Sequence, residues 1–119
     1  MTNNAVLDWE ATLALANHST ELVSELLQLF SDQLDNDQTL LQDAYQQSDM
    51  ASLRQHVHRL LGSCSYCRVP IFQNALETFS TAVKADESQD LLDSKFEALM
   101  DACTKLKVEI SHALKEHFA

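Results

Sequence analysis

The amino-acid sequence predicts an all-α fold, an antiparallel four-helix bundle with a short additional N-terminal helix. Three observations carry that expectation. One glycine and one proline in 119 residues leave little room for hairpins or a many-stranded sheet. Apolar residues recur at spacings of three and four along the long segments, the pattern of helices that each bury one stripe. The polar stretches between those segments are short, which makes consecutive helices antiparallel neighbours.

Each element has a local reason. Asp8 is placed to N-cap a short helix reaching about Ala16, with Trp9 and Leu13 as its buried contacts. Ser19 caps the second helix, and Glu21 lies in its first turn, where the helix dipole favours negative charge. Its apolar side is Leu22, Val23, Leu26, Leu27, Phe30 and Leu34, then Leu40, Leu41, Ala44 and Tyr45. The polar run Asp35-Asn36-Asp37-Gln38 is a candidate bend or break in it. Asp49 caps a third helix that extends to about Cys67. Pro70 suits the first turn of a fourth, whose inward residues are Phe72, Ala75, Leu76, Phe79 and Val83. A polar link, Asp86 to Asp90, precedes the last helix, in which Leu92, Phe96, Leu99, Cys103, Leu106, Ile110 and Ala113 form a packing seam. With no repeat, low-complexity tract or linker, the chain reads as a single domain over residues 1–119.

Composition narrows the function classes. No apolar run approaches the roughly 18 residues that span a bilayer, and Met1-Thr2-Asn3-Asn4 lacks the basic and apolar blocks of a secretion signal. A cytoplasmic domain is expected. The cysteine count of three is odd, and the thiols fall at core spacing, which points to reduced thiols in a reducing compartment. A net charge of −10 disfavours nucleic acid and direct contact with an anionic membrane. The charge is unevenly placed. All 18 carboxylates avoid the stretch between Asp49 and Glu77, which contains Arg54, His56, His58, Arg59 and Arg68. A site that carries an anion such as phosphoryl needs such a strip.

Within it stands His58, four residues before Gly62, the chain's only glycine. Residues at i and i+4 are neighbours on a helix face, and glycine inside a helix costs about 1 kcal/mol relative to alanine. Advancing about 100° per residue places Leu53, Val57, Leu60, Cys64 and Cys67 within roughly 40° of one core direction. His58 then lies about 140° and Gly62 about 180° from the core, sharing the outer face with Ala51, Gln55 and Ser65, while His56 lies about 60° away at the boundary. The imidazole is thus turned outward beside a bare patch of backbone. Most outward histidines are merely solvated; the glycine, the small neighbours and the carboxylate-free strip mark this one as presented for chemistry. The neutral imidazole is a nucleophile through its unprotonated ring nitrogen. No Ser, Cys or carboxylate stands ready on the same helix to complete a hydrolytic triad. Covalent carriage of a group between two partners fits such a nucleophile.

Other readings compete. Cys64-x-x-Cys67 has the spacing of a redox dithiol, yet it falls late in its helix and on the core side, where inert packing is favoured. Five histidines raise the question of a metal site, but His56 and His58 point different ways, and His112 and His117 are five apart. A bundle that only binds its partners, with a retired histidine, is the third.

The run His58-Arg59-Leu60-Leu61-Gly62-Ser63 resembles the His-x-Leu-Lys-Gly-Ser pattern of histidine-containing phosphotransfer domains. The resemblance extends over nearly the whole chain, including the short first helix, the Leu-rich helix before Asp49 and the Leu76-Glu77 pair. Gly62-Ser63-Cys64-Ser65-Tyr66 followed by Val69-Pro70 is similar to the domain in BarA/GacS-type tripartite sensor kinases. The resemblance implies a phosphorelay intermediate, not an enzyme in isolation: His58 would accept phosphoryl, at Nε2, from the aspartate of a receiver domain and pass it to the aspartate of a response regulator. It implies a monomer with no cofactor of its own, with Mg²⁺ supplied by the receiver, and a docking face of Arg54, Gln55, Arg59, Leu61, Gly62 and Ser65. The alternative is a bundle that binds receivers without being phosphorylated. If the chain is an excised piece, its parent would be a hybrid sensor kinase, with the inner membrane as a candidate anchor. Two positions depart from the pattern. Leu61 stands where the family has lysine, leaving Arg54 and Arg59 as the nearby candidates for the missing cation. Arg68 stands where the family has a helix-ending glycine, which requires a left-handed cap or another ending.

Overall fold

Three polar side chains just ahead of apolar periodic segments start three of the helices. The Asp8 carboxylate accepts from the Ala11 amide at 3.1 Å, the Ser19 hydroxyl from Leu22 at 3.2 Å, and the Asp49 carboxylate from Ser52 at 3.2 Å. Each satisfies an amide that the first turn leaves without a partner. In the computed structural model, which describes residues 5–118, the elements are α1 (Trp9–Leu15), α2 (Thr20–Gln46), α3 (Met50–Ser63), α4 (Pro70–Lys84) and α5 (Gln89–Phe118). The segment Met1-Thr2-Asn3-Asn4 lies outside the described residues, as does the side chain of His117. Among the described residues there is no strand, and no helix is long and apolar enough to cross a membrane.

Helices α2 to α5 close a ring in which each packs on two neighbours, α2 on α3, α3 on α4, α4 on α5 and α5 back on α2. Their order is antiparallel: Gln33 and Asp37 of α2 meet Tyr66, just beyond α3, and Arg59 of α3, while Tyr45 and Asp35 meet Asp93 and Lys107 of α5. The core is the set of stripes read from the periodicity, with Leu27, Phe30, Leu34, Leu41, Leu53, Leu60, Phe72, Leu76, Phe79, Leu99, Leu106 and Ile110 essentially withdrawn from water. Burying each such side chain contributes about 1.5–3 kcal/mol. Leu22, counted with the apolar side of α2, is exposed. Short α1 lies against the α3–α4 connection: the Asp8 amide donates to the Arg68 carbonyl at 2.9 Å, and the Arg68 amide to the buried Thr12 hydroxyl at 3.0 Å.

The polar run in α2 neither bends nor splits it. Asp35 pairs with Lys107 at 3.0 Å, buried Asp37 pairs with Arg59, and Gln38 donates to the Met100 carbonyl at 3.4 Å. These residues are polar because they join α2 to its two neighbours, which holds 27 residues in one helix. Helix α3 stops at Ser63 rather than Cys67, and tight turns carry the chain on, with Ser65 donating to the Gly62 carbonyl at 3.1 Å. Arg68 is not among the residues of positive φ, so this end needs no left-handed cap. Helix α5 begins at Gln89, inside the polar link.

The other ends are left-handed without glycine. Asn17, Ser48 and Asp86 have φ of 56°, 55° and 54°. After α2 the Ser48 amide reaches the Tyr45 carbonyl and the Asp49 amide the Ala44 carbonyl, and α4 ends on the same pattern at Asp86 and Glu87. This is the Schellman arrangement, which favours glycine at its left-handed position. Ser48→Gly is therefore expected to raise unfolding stability by about 1 kcal/mol, read as a higher midpoint in urea with an unchanged slope; a lower midpoint would contradict this cap. The three thiols are buried and unbridged, and burial is the main cause that pushes each up to about 12. A thiol reagent at pH 8 should label them only at the pace of unfolding and at once in denaturant, whereas rapid native labelling of Cys64 and Cys67 would restore the redox dithiol.

Candidate functional site

Packing sets the rotation of α3. Leu53, Val57, Leu60 and Cys64 are buried, which leaves Arg54, Gln55, His58, Gly62 and Ser65 exposed along the opposite side. His56 is half-buried, with its Nδ1 3.4 Å from Arg59. A Cβ built on Gly62 would meet nothing within 4 Å. Nothing inside the molecule therefore requires a glycine there, and the backbone cost of about 1 kcal/mol is spent on a surface left open to the outside.

His58 stands at the edge of a groove of about 230 Å³ between α3 and α4. From α3 come Arg54, one turn before His58, and half-buried Leu61, one turn after it. From α4 come Ser80 and Lys84, themselves one turn apart. The floor is apolar: Leu53, Val57, Phe79 and Val83. Phe79 is backed by Tyr45 and Phe96, whose rings stack at 4.1 Å and 9° and lie 6.0 and 5.4 Å from it. The Tyr45 hydroxyl donates to Asp93, and burial, followed by that carboxylate, raises it to about 12. The groove floor is thus a fixed wall. Among the described residues no carboxylate lines it.

The residues anticipated for docking divide here. Arg54 and Leu61 share the groove with His58, Gln55 and Gly62 are exposed on the same helix, and Ser65 is exposed in the turn just beyond its end. Arg59 is held elsewhere: its guanidinium donates to Asp37 of α2, joining α2 to α3, and it does not line the groove. Lys84 was not anticipated. Its sequence signal is weak, a lone cation in the last turn of α4; its meaning depends on which flank of α4 faces α3, and periodicity does not give that.

Other candidate chemistry finds less support. Among the described residues no group of three or more His, Cys, Asp or Glu could hold a metal ion. Glu109 and His112 form one Glu-x-x-His pair on α5, and both are exposed without a third ligand. A second groove, about 410 Å³ between α4 and α5, offers Lys95 and Lys105, which are already paired with Glu87 and Asp101, and no histidine.

Comparison with known proteins agrees with the helical fold. The chain is similar to the crystal structure of the HPT domain from the Hpt sensor hybrid histidine kinase from Shewanella, with a TM-score of 0.84 and 29% identity over 96% of this chain and 97% of that one. It is 26% identical over 111 residues to the signal transduction histidine-protein kinase BarA of Escherichia coli (strain K12), covering 93% of this chain and 12% of the relative. It is 30% identical over 97 residues to the sensor protein GacS of Pseudomonas syringae pv. syringae, covering 80% of this chain and 11% of the relative. The chain thus spans a small part of the length of these kinases. The Hpt domain profile matches residues 25–115, which include α3, its exposed histidine and the α4 wall of the groove, and on that match over most of its length the chain belongs to the Hpt domain family.

Proposed function

We propose that His58 is the phosphoacceptor of this phosphotransfer domain, loaded from a receiver-domain aspartyl phosphate and unloaded onto the aspartate of a second receiver. The observation that carries the reading is the exposed imidazole beside Gly62, whose missing side chain leaves open space rather than relieving an internal clash. A partner's aspartyl phosphate must come within bonding distance of the ring, and any long side chain at position 62 stands in its way.

The step needs little from this chain beyond an aligned nucleophile. The Nε2 lone pair forms the new P–N bond as the P–O bond to the aspartyl carboxyl breaks. The carboxylate leaves with that bond pair, and the proton on Nδ1 equilibrates with water. Reversal onto a second aspartate returns the imidazole unchanged, as a carrier requires. In this scheme the receiver would hold the Mg²⁺ that would neutralise charge on the transferring group. The chain works as a monomer, in the cytoplasm, and its docking face is the α3 surface with Arg54, Gln55, Leu61, Gly62 and Ser65.

Phosphorylated receiver should place acid-labile, base-stable label on the protein; His58→Gln should abolish it, and His56→Gln should keep it. Label persisting in the first variant or vanishing in the second contradicts the assignment. Gly62→Ala should raise stability by about 1 kcal/mol, since helix propensity improves and the new methyl meets nothing. Gly62→Gln should slow loading by about tenfold or more with the helical spectrum intact, an effect of steric exclusion; loading at the parent rate would contradict the open-surface reading.

A further inference from the structure

We propose that Lys84 of α4, with Arg54 of α3, binds the oxygens of the phosphoryl group on His58 and so takes the part that Leu61 cannot play. The assignment rests on His58 being the phosphoacceptor.

The first support is where cations remain unpaired. In a chain with 18 carboxylates, Arg59, Lys95, Lys105 and Lys107 each hold one. Arg54, Arg68, Lys84 and Lys115 hold none among the described residues. Arg54 and Lys84 flank the same groove, on opposite helices, with His58 at its edge. So strongly acidic a protein would readily quench such a pair, but among the described residues no carboxylate lines the groove. The two charges are left for an anion that arrives from outside.

The second support is the chemistry of the load. A phosphoryl group on imidazole brings close to two negative charges and three acceptor oxygens, which favour charge-assisted donors. Arg54 precedes His58 by four residues, so both side chains project from one face of α3. Lys84 is a flexible ammonium on a long stem and can follow the group as it moves between partners. The Ser80 hydroxyl, one turn before Lys84 and also lining the groove, is a neutral donor on the same wall. The carbonyl end of α4 carries the negative pole of its dipole; without Lys84, this wall would repel the phosphoryl group. The apolar floor beneath strengthens the attraction by keeping water from that side. Arg59 cannot substitute, because Asp37 already holds it.

The test loads the full chain from a phosphorylated receiver and, separately, from phosphoramidate, and follows label on His58 in Lys84→Arg, Lys84→Gln and Lys84→Glu. Loading should fall by about 10- to 100-fold in Lys84→Gln and further in Lys84→Glu, with Lys84→Arg within about threefold of the parent. The loss should appear with phosphoramidate as well as with the receiver, which separates phosphoryl binding from docking; a loss confined to the receiver donor overturns the phosphoryl-binding role of Lys84. Thermal unfolding of the three variants checks that the exposed substitutions leave the bundle folded. Equal loading in Lys84→Gln and the parent, or loss in Lys84→Arg as deep as in Lys84→Gln, overturns the role of Lys84 and leaves His58 as carrier. A parent protein that takes no label on His58 from either donor removes the carrier reading, and this assignment with it.

Discussion

The burial of Leu53, Val57, Leu60 and Cys64 against the neighbouring helices sets the rotation of α3, and the site depends on that rotation. A helix cannot turn one side chain outward independently; about 100° per residue ties His58 to its neighbours. Turning His58 toward the core would expose Val57 or Leu60 and forfeit about 1.5–3 kcal/mol for each side chain brought into water. The Asp37–Arg59 pair adds a second restraint from the α2 side, and the aromatic stack of Tyr45 and Phe96 steadies Phe79 on the α4 side. The His58 ring itself is exposed, but the α3 side chains that fix its direction, Leu53, Val57, Leu60 and Cys64, are buried. A carrier that must meet two partners in the same geometry gains from that division, because alignment is built before either arrives.

Charge placement follows the same logic. The protein is acidic overall, and most of its cations are used to hold helices together or lie away from His58. The groove at His58 is an exception, with Arg54 and Lys84 on facing walls and an apolar floor. The carboxylate-free stretch from residue 50 to residue 76 prepares the α3 wall. Ser80 and Lys84 extend it onto the next helix, past Glu77, which lies on the exposed side of α4 outside the groove. A locally cationic groove on an anionic domain favours a phosphoryl group over bulk anionic surfaces, which the remaining charge repels.

Much of this was legible in the sequence because the signals are local. Asp8, Ser19 and Asp49 cap within three residues of themselves, and the outward direction of His58 follows from the spacing of leucines and valine on its own helix. What was not legible depends on distant partners. Asp35, Asp37 and Gln38 read as a break because Lys107, Arg59 and Met100, which explain them, are far along the chain. The left-handed ends at Ser48 and Asp86 carry no glycine to announce them. The end of α3 moved from Cys67 to Ser63 because tight turns keep both cysteines buried without continuing the helix. Lys84 escaped notice because only the packing of α3 on α4 brings it to His58.

The central claim is that the α3 surface around His58 and Gly62, with the adjoining end of α4, is where a receiver docks. Titrating the isotopically labelled chain with an unlabelled receiver domain, and following backbone amide shifts, tests it directly. Changes should concentrate on residues 54–65 of α3 and its end and on residues 80–84 of α4, and should leave the α4–α5 groove near Thr78 and Lys105 unmoved. Changes centred on that second groove, with His58 and Gly62 undisturbed, would contradict the account.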